Sequence, residues 1–246
     1  MTIPSTPASL AYLRDNAREL LNEFDAADAL ASYYLLHHDP KRSALFMHRE
    51  ASGQIDGALA HCQTGFDLFR PVITLRLRGA SALPDLLDEA LKPGRPYILI
   101  MPPTYHERLA PYLELSEVSE RLILRLDAGR HAPEMNVLVT RRDDPDGNPR
   151  AEIRQGSTVI AAAGVNWRSP VFAEIFVQVA DEQRGRGYGR SVVSAVVSGL
   201  IKLGVTPVYS VAESNAASRA VAEAAGFVDT GAREVMAQAI RKPEQA

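Results

Sequence analysis

The chain has a single cysteine, Cys62, among its 246 residues. One thiol closes no disulfide within a chain and builds no cysteine-based zinc cluster. An excess of either charge is also lacking. Lys and Arg number 27 against 30 Asp and Glu, a formal charge of −3 that gives no support for a nucleic-acid partner. No apolar run approaches the roughly 20 residues needed to cross a bilayer. The stretch Met1–Pro7 lacks the charged-then-apolar order of a secretory signal. A cytoplasmic protein that neither spans nor binds a membrane is expected. What is present is ordinary for a globular chain, 46% hydrophobic and 23% charged residues, in a length that holds one large domain or two small ones.

Periodicity divides the chain into elements. Leu10, Leu13, Ala17, Leu20 and Leu21 recur at helical spacing, and a second helical stretch runs from Ala26 to Leu36 until Asp39-Pro40 stops it. Strand-like runs follow at Ser43–His48, Gly57–Gln63 and Val72–Arg78. Leu83–Leu91 reads as a helix, Tyr97–Met101 as a buried strand, His106–Leu113 as a helix and Arg121–Leu126 as a strand. Residues 127–134 read as a linker. Met135–Thr140, Ala151–Gln155, Thr158–Val165 and Val171–Val179 then form an antiparallel meander, interrupted by a polar, turn-rich stretch at Arg142–Pro149.

The most informative segment follows that meander. Residues 184–189 read Arg-Gly-Arg-Gly-Tyr-Gly, between the strand-like run and a helix-like segment, Ser191–Leu203. Glycines let the backbone turn tightly and present successive N–H groups. A helix start adds unpaired N–H groups and partial positive charge. With Arg184, Arg186 and Arg190 beside them, these parts suit an anion, a pyrophosphate above all. The dinucleotide fingerprint fails, because its sixth position counted from Gly185 is Arg190. The Gly-Lys-Ser/Thr ending of a P-loop is absent. A glycine-rich surface turn with solvated arginines is the plain alternative. Behind the loop, Val192, Val193, Val196, Val197, Leu200 and Ile201 form one apolar stripe, and Gly204 sits where a terminating glycine belongs.

Downstream come a short strand at Val208–Val211, then Glu213-Ser214-Asn215, a second helix, and Ala225-Gly226-Phe227. The order strand, Arg-x-x-Gly-x-Gly, helix, strand, Asn-x-x-Ser, helix, Gly-Phe resembles the GNAT superfamily of acyl-CoA-dependent N-acyltransferases over residues 171–240. The resemblance implies a mixed α/β (α+β) fold, and the order of elements in the first half, without any sequence repeat, leads to the expectation of two GNAT-like halves. Residues 1–130 would be a degenerate copy without a pyrophosphate loop, and residues 131–246 the acetyltransferase domain. At the place that element order matches in the first half, after Tyr97–Met101, the chain has Pro102-Pro103-Thr104 and no glycine. The second half lacks the paired helices usual between the first two strands of the family, so the halves are expected to complete each other across a shared cleft.

Acetyl-CoA is then the implied donor. A primary amine on a small molecule or peptide is the acceptor, with direct transfer in a ternary complex and a monomer or homodimer as the assembly. Gly187 and Gly189 match the glycines of the family motif and Arg184 its Gln/Arg position. Gly185, Arg186, Tyr188 and Arg190 line or flank the same turn. Backbone N–H groups of Val177 and Val179 would meet the pantetheine arm and the thioester carbonyl where the strand splays from its neighbour. Asn215 and Ser218 would face the cofactor, and they also suit a helix cap.

Alternation puts Phe172, Glu174, Phe176 and Gln178 on one face. A carboxylate between two phenylalanines is desolvated and its pKa rises, as a base near neutral pH requires. Phe172-Ala173-Glu174-Ile175 also resembles the strand of the histone-acetyltransferase branch whose glutamate is the general base, although the loop here is one residue shorter. A solvated acid on a sheet face is the competing reading. The position of the family's usual general-acid tyrosine is Ala222, which leaves Tyr209 or Tyr188 as substitutes or an unassisted thiolate. Ala222 also motivates a non-catalytic acyl-CoA sensor as an alternative, and a nucleotide-binding regulatory domain is a third reading. His37-His38-Asp39 closes a helix and His106-Glu107 lacks a spaced partner. Cys62 reads as a core filler and Asp143-Asp144-Pro145-Asp146 as a turn, so no metal is called for.

Overall fold

The computed structural model describes residues 7–65, 67–79 and 81–243. The chain runs through α1 (Pro7–Ala17), α2 (Ala29–Ser32), β1 (Ser43–Arg49), β2 (Ile55–Cys62), β3 (Val72–Leu77), α3 (Ala82–Ala90), β4 (Pro96–Met101), α4 (His106–Leu109) and β5 (Leu113–Leu126). It continues through β6 (Val139–Asp143), β7 (Pro149–Gln155), β8 (Thr158–Arg168), β9 (Phe172–Val179), α5 (Tyr188–Lys202), β10 (Thr206–Ala212), α6 (Ala216–Ala224) and β11 (Phe227–Arg241). Among the described residues no helix is long and apolar enough to cross a membrane.

Two compact units result, Met1–Glu120 with Arg233–Ala246, and Arg121–Ala232. The sequence reading cuts the chain once, between 130 and 131. The structure divides it inside two long strands. Arg121–Arg125 of β5 pairs antiparallel with β10, while Val235–Ile240 of β11 pairs antiparallel with β4. Each unit is thus completed by a strand from the other half of the chain.

In the first unit, β1, β2 and β3 form an antiparallel meander, and β3 then pairs parallel with β4 across the α3 connection. Leu83, Leu86 and Leu87 recur at helical spacing and seal α3 onto Leu59, Ile73, Leu75 and Leu99. In the second unit, β6 to β9 form the meander and β9 pairs parallel with β10 across α5. Val192, Val193, Val196, Val197 and Leu200 are fully buried against Ala151, Ile153, Ala161, Ala163, Ala173 and Ile175. Burying each such side chain favours the fold by about 1.5–3 kcal/mol over leaving it in water. Small alanines on the sheet let the helix sit close, so its N-terminus is firmly aimed.

Several local expectations change. Ile201 of the predicted stripe is 42% exposed, because it falls just past the buried arc. Helix α4 stops at Leu109, and Leu113 already opens β5, whose polar first half gives no apolar signal. Met135 and Val137 are not strand residues. They are more than nine-tenths exposed in an irregular segment, and β6 starts only at Val139.

The position matching the glycine loop also moves. In the first unit the ladder of the parallel crossover is Val72–Ile98, Ile73–Leu99 and Thr74–Ile100; in the second it is Phe172–Thr206, Ala173–Pro207 and Glu174–Val208. The connection equivalent to residues 180–187 is therefore the one between β3 and α3. It is not Pro102-Pro103-Thr104, which follows β4. Strand pairing fixes this equivalence, and element order alone misplaces it by one crossover.

Candidate functional site

The parallel ladder between β9 and β10 ends at Glu174 and Val208, although β9 runs on to Val179 and β10 to Ala212. Beyond that point β9 stays with β8 and β10 stays with β5. The strands part, and a notch opens between them. Backbone direction on its β9 side follows from bonds at both ends. Thr206 N donates to the Val171 carbonyl at 2.9 Å, so odd-numbered residues face β10. Ala180 N donates to Ile160 O at 2.9 Å, so even-numbered residues face β8. Val177 and Val179 therefore turn their N–H groups toward the edge that β10 has left.

Glu174 stands at the root of the notch. Its neighbour Trp167 and the residue before it, Asn166, lie on β8 where the register shifts between Val165 and Trp167. That bulge inserts Asn166 and re-aims it, so that Asn166 Nδ2 donates to Glu174 Oε2 at 3.3 Å. Burial pushes the Glu174 carboxyl above the usual carboxylate range; the positive charge of Arg121 and the donors of Asn166 and Trp167 oppose that shift without cancelling it. Desolvation is the largest cause of that shift. Phe172 is buried, and Phe176, with the Arg150 guanidinium 5.7 Å from its ring centre, is half-buried.

The glycine loop leads into the other end of the notch. Gly185 and Gly187 have φ of 75° and 77°, a conformation that L side chains rarely adopt. A Cβ at either would meet open space, so backbone geometry and not crowding requires glycine there. Gly187 is the N-cap of α5 and brings no side chain to the first N–H groups, which belong to Tyr188, Gly189 and Arg190. Gly189 serves closeness instead, since a Cβ there would lie 3.3 Å from both Val179 and Val221. The helix start is thereby pinned beside the end of β9. This donor set, with a cradle free of side chains, fits a pyrophosphate.

The arginines are less free than the sequence suggests. Arg184 Nη2 lies 2.7 Å from Asp181 Oδ1, with both groups exposed. Arg190 Nε lies 3.1 Å from Glu134 Oε2. The segment around Glu134 is tied to α5, because Ser191 Oγ donates to Glu134 Oε1 and Asn136 Nδ2 donates to Ser191 Oγ. Arg186 is exposed and makes no ion pair among the described residues. Tyr188 is half-buried against the core.

Asn215 caps α6, its side chain accepting from Ser218 N at 3.0 Å. Ser218 Oγ lies 2.9 Å from the Tyr209 hydroxyl. Tyr209 packs in the same core cluster as α5 and stacks edge-on with Phe227. Even-numbered residues of β10 share the face of Glu174, because Val208 pairs with it. Tyr209 is consequently on the opposite, helix-covered face, and no hydrogen bond joins the two proposed catalytic side chains, although the Glu174 charge is felt at the phenol. Burial raises the Tyr209 phenol above its ordinary pKa, so it stays protonated. Arg121 and Ser210, on the face of Glu174, escape the sequence reading. A long-range strand pairing places them there, and no local pattern announces it.

Other clusters stay structural. Cys62 is fully buried, and burial pushes its thiol up to about 12, which leaves no thiolate at neutral pH. Among the described residues no group of three or more His, Cys, Asp or Glu could hold a metal ion.

The first unit treats the equivalent places differently. The Tyr105 hydroxyl accepts from Leu77 N at 3.0 Å and donates to Leu77 O at 3.2 Å. Leu77 lies three residues beyond the last ladder pair, as Val177 does. At the start of α3, Ser81 Oγ donates to Asp56 Oδ2 at 3.0 Å, and His48 Nδ1 sits 2.6 Å from Asp56 Oδ1. Asp56 is 1% exposed.

Known proteins agree with this architecture. Residues 153–236 match the family model described as FR47-like protein. A GCN5-related N-acetyltransferase from Sphaerobacter thermophilus aligns with a TM-score of 0.60 at 13% identity, over 100% of this chain and 97% of that one. A tandem GNAT protein from the clavulanic acid biosynthesis pathway aligns at 0.58 and 16% identity, over 100% and 99%. An acetyltransferase of the GNAT family from Colwellia psychrerythraea aligns at 0.58 and 12%, over 97% and 99%. No curated protein is a significant match. The chain has the fold of the GNAT acetyltransferases. More narrowly, its segment from β7 into β11 carries the FR47-like pattern.

Proposed function

We propose that the second unit is an N-acetyltransferase that moves an acetyl group from acetyl-CoA to a primary amine. One observation carries this reading: a carboxylate of raised pKa stands at the root of a strand notch whose far end meets a glycine-built, side-chain-free helix start. Tyr188, Gly189 and Arg190 offer their N–H groups to the diphosphate, with Gly185, Arg186 and Gly187 shaping the turn. Arg184 and Arg190 contribute at its rim by exchanging Asp181 and Glu134 for phosphate. Asn215 and Ser218 border the pantetheine side.

The ammonium of the acceptor loses a proton to Glu174, directly or through water. The freed nitrogen lone pair attacks the thioester carbonyl carbon. The N–H groups of Val177 and Val179 receive the developing oxyanion, a kind of stabilisation worth several kcal/mol in dry sites (about 3–4 for one donor). The carbon–sulfur bond then breaks, the thiolate takes a proton from the Tyr209–Ser218 hydroxyl pair on the helix side, and the second proton shed by the nitrogen as it becomes an amide returns to that pair through water. The products are an amide and free thiol, and the proton held by Glu174 passes to solvent. Holding both reactants in one notch supplies much of the rate.

The test is thiol release from acetyl-CoA with a panel of amines, together with calorimetric titration of CoA. Amine-dependent release and binding of one CoA per chain are expected. Tight CoA binding with no amine acceleration favours the sensor alternative, and competition by ATP or NAD favours a nucleotide domain.

A further inference from the structure

Arg121 lies on β5, paired across Ala212, and shares the sheet face of Glu174. Its Nε donates to Ser210 Oγ and its Nη2 to the Ser210 carbonyl, both at 2.7 Å. Those bonds lock the guanidinium over the β10 side of the notch, while Glu174 holds the β9 side. Nη1 is left over, and among the described residues no carboxylate lies within ion-pair distance of Arg121.

The other arginines of this face differ. Arg142, Arg150 and Arg154 all converge on the buried Glu152, at 2.6, 2.9 and 3.1 Å. Their charge is met by direct ion pairs, whereas Arg121 makes none among the described residues and meets the Glu174 charge only at longer range. A half-buried, rigidly held guanidinium with Nη1 unbonded and no carboxylate in direct contact is placed to take an anion. Arg121 on β5 and Glu174 on β9 stand on the two strands that flank β10, on one face, and the Arg121 charge favours the ionised form of Glu174. A substrate that fits both presents an ammonium to Glu174 and an anion to Arg121.

Resting on the acetyltransferase reading above, we infer that Arg121 anchors a carboxylate of the acceptor, so that the amine substrate is a small amino acid or another amine carrying a carboxylate close to its nitrogen. Half-buried Phe176 beside Glu174 offers an apolar wall for a short carbon skeleton. Arginine suits the task because its planar fork binds a carboxylate bidentately while its remaining N–H groups stay on Ser210.

The experiment uses the full chain, saturating acetyl-CoA, and matched acceptor pairs: glycine with glycinamide, and alanine and glutamate with their α-amides. Thiol release is followed for the wild type, Arg121→Met and Arg121→Gln. The acids are expected to be the better wild-type substrates. Arg121→Met is expected to raise KM for the acids by about 10- to 100-fold, the loss of one charge-assisted hydrogen-bonded pair. KM for the amides should change by less than about twofold, and CoA affinity should stay as it was. Arg121→Gln keeps a donor for Ser210, removes the charge, and gives the same discrimination if the Met variant folds poorly. Equal use of acids and amides by the wild type overturns the anchor while leaving acetyl transfer standing. So does an equal loss on both acceptor types, which would make Arg121 a positioning residue for Glu174. No amine-dependent release from any acceptor, with CoA bound, overturns the transfer reading and the anchor together.

Discussion

The two units carry the same crossover, a parallel strand pair bridged by a helix, with a short ladder after which the strands part. They use it in opposite ways. In the second unit the N–H of Val177 faces the notch, and the start of α5 has no side chain over it. In the first unit Tyr105 takes both backbone groups of Leu77, and the Asp56 carboxylate is held by Ser81 at the start of α3. Polar backbone groups freed where strands part must find partners. One unit supplies them from its own side chains, and in the function proposed above the other leaves them for a ligand. A shared fold therefore sets where a site can form, and side chains decide whether the protein itself fills it.

The sharpest way to break this contrast is to give the second unit what the first already has. Gly187→Asp places a carboxylate at the start of α5 and forces a side chain into left-handed backbone. CoA affinity is expected to fall by about 100-fold or more, from strain of ~1–2 kcal/mol together with the loss of charge-assisted bonds to the diphosphate. Gly79→Ala, at the matching connection of the first unit, should leave CoA binding unchanged. Titration calorimetry on both variants measures the contrast, and equal losses would erase it.

Glu174→Gln comes next. Loss of a general base is expected to lower kcat by about 10²- to 10⁴-fold, with CoA affinity preserved. The wild-type rate should rise with pH through a limb above the ordinary carboxylate range, and the variant should lose that limb. Stability should move as well. Glu174 binds a proton more readily folded than unfolded, so its contribution is most favourable at low pH and is lost as pH rises through the folded value. Thermal melts of the Gln variant against wild type should accordingly show a relative gain that grows from pH 4 to pH 8.

The two tyrosines separate function from filling. Tyr209→Phe is expected to slow thiol release by about 10-fold, in line with removing a modest acid. Tyr105→Phe should leave kcat unchanged but cost about 1–3 kcal/mol in denaturant unfolding, because the backbone groups of Leu77 lose their partner. The smallest effect is reserved for Asn166→Ala. Its amide favours the charged form of Glu174, so its removal should shift the acidic limb of the rate profile upward. An unmoved limb would remove the bulge from the description of the base.

Much of the second unit is legible in the amino-acid sequence alone. Arg184–Gly189, the valine stripe of α5 and the Asn215 cap are local patterns, and local patterns follow from backbone sterics and helix-end hydrogen bonding. The alternation around Glu174 is legible for the same reason. Tyr209 is legible as an aromatic near the site, but its face is not, since its parity matters only once Val208 is paired with Glu174. Asn166 stays hidden because a bulge depends on the partner strand. The matching of Pro102-Pro103-Thr104 to the glycine loop fails because element order does not reveal which strand pairs with which.

By itself the amino-acid sequence determined the shape of the loop and helix start proposed as the anion seat: glycines where φ must be positive, and a buried apolar stripe that fixes the helix behind them. Tertiary structure alone decided that β5 and β11 complete units on the far side of the chain from their own neighbours. It also decided that Arg121 and Glu174 share a face and Tyr209 does not, and that Tyr105 closes the first unit's notch. The reason is physical. Conformational preference and periodicity act over a few residues, whereas strand pairing joins positions that no short-range energy relates.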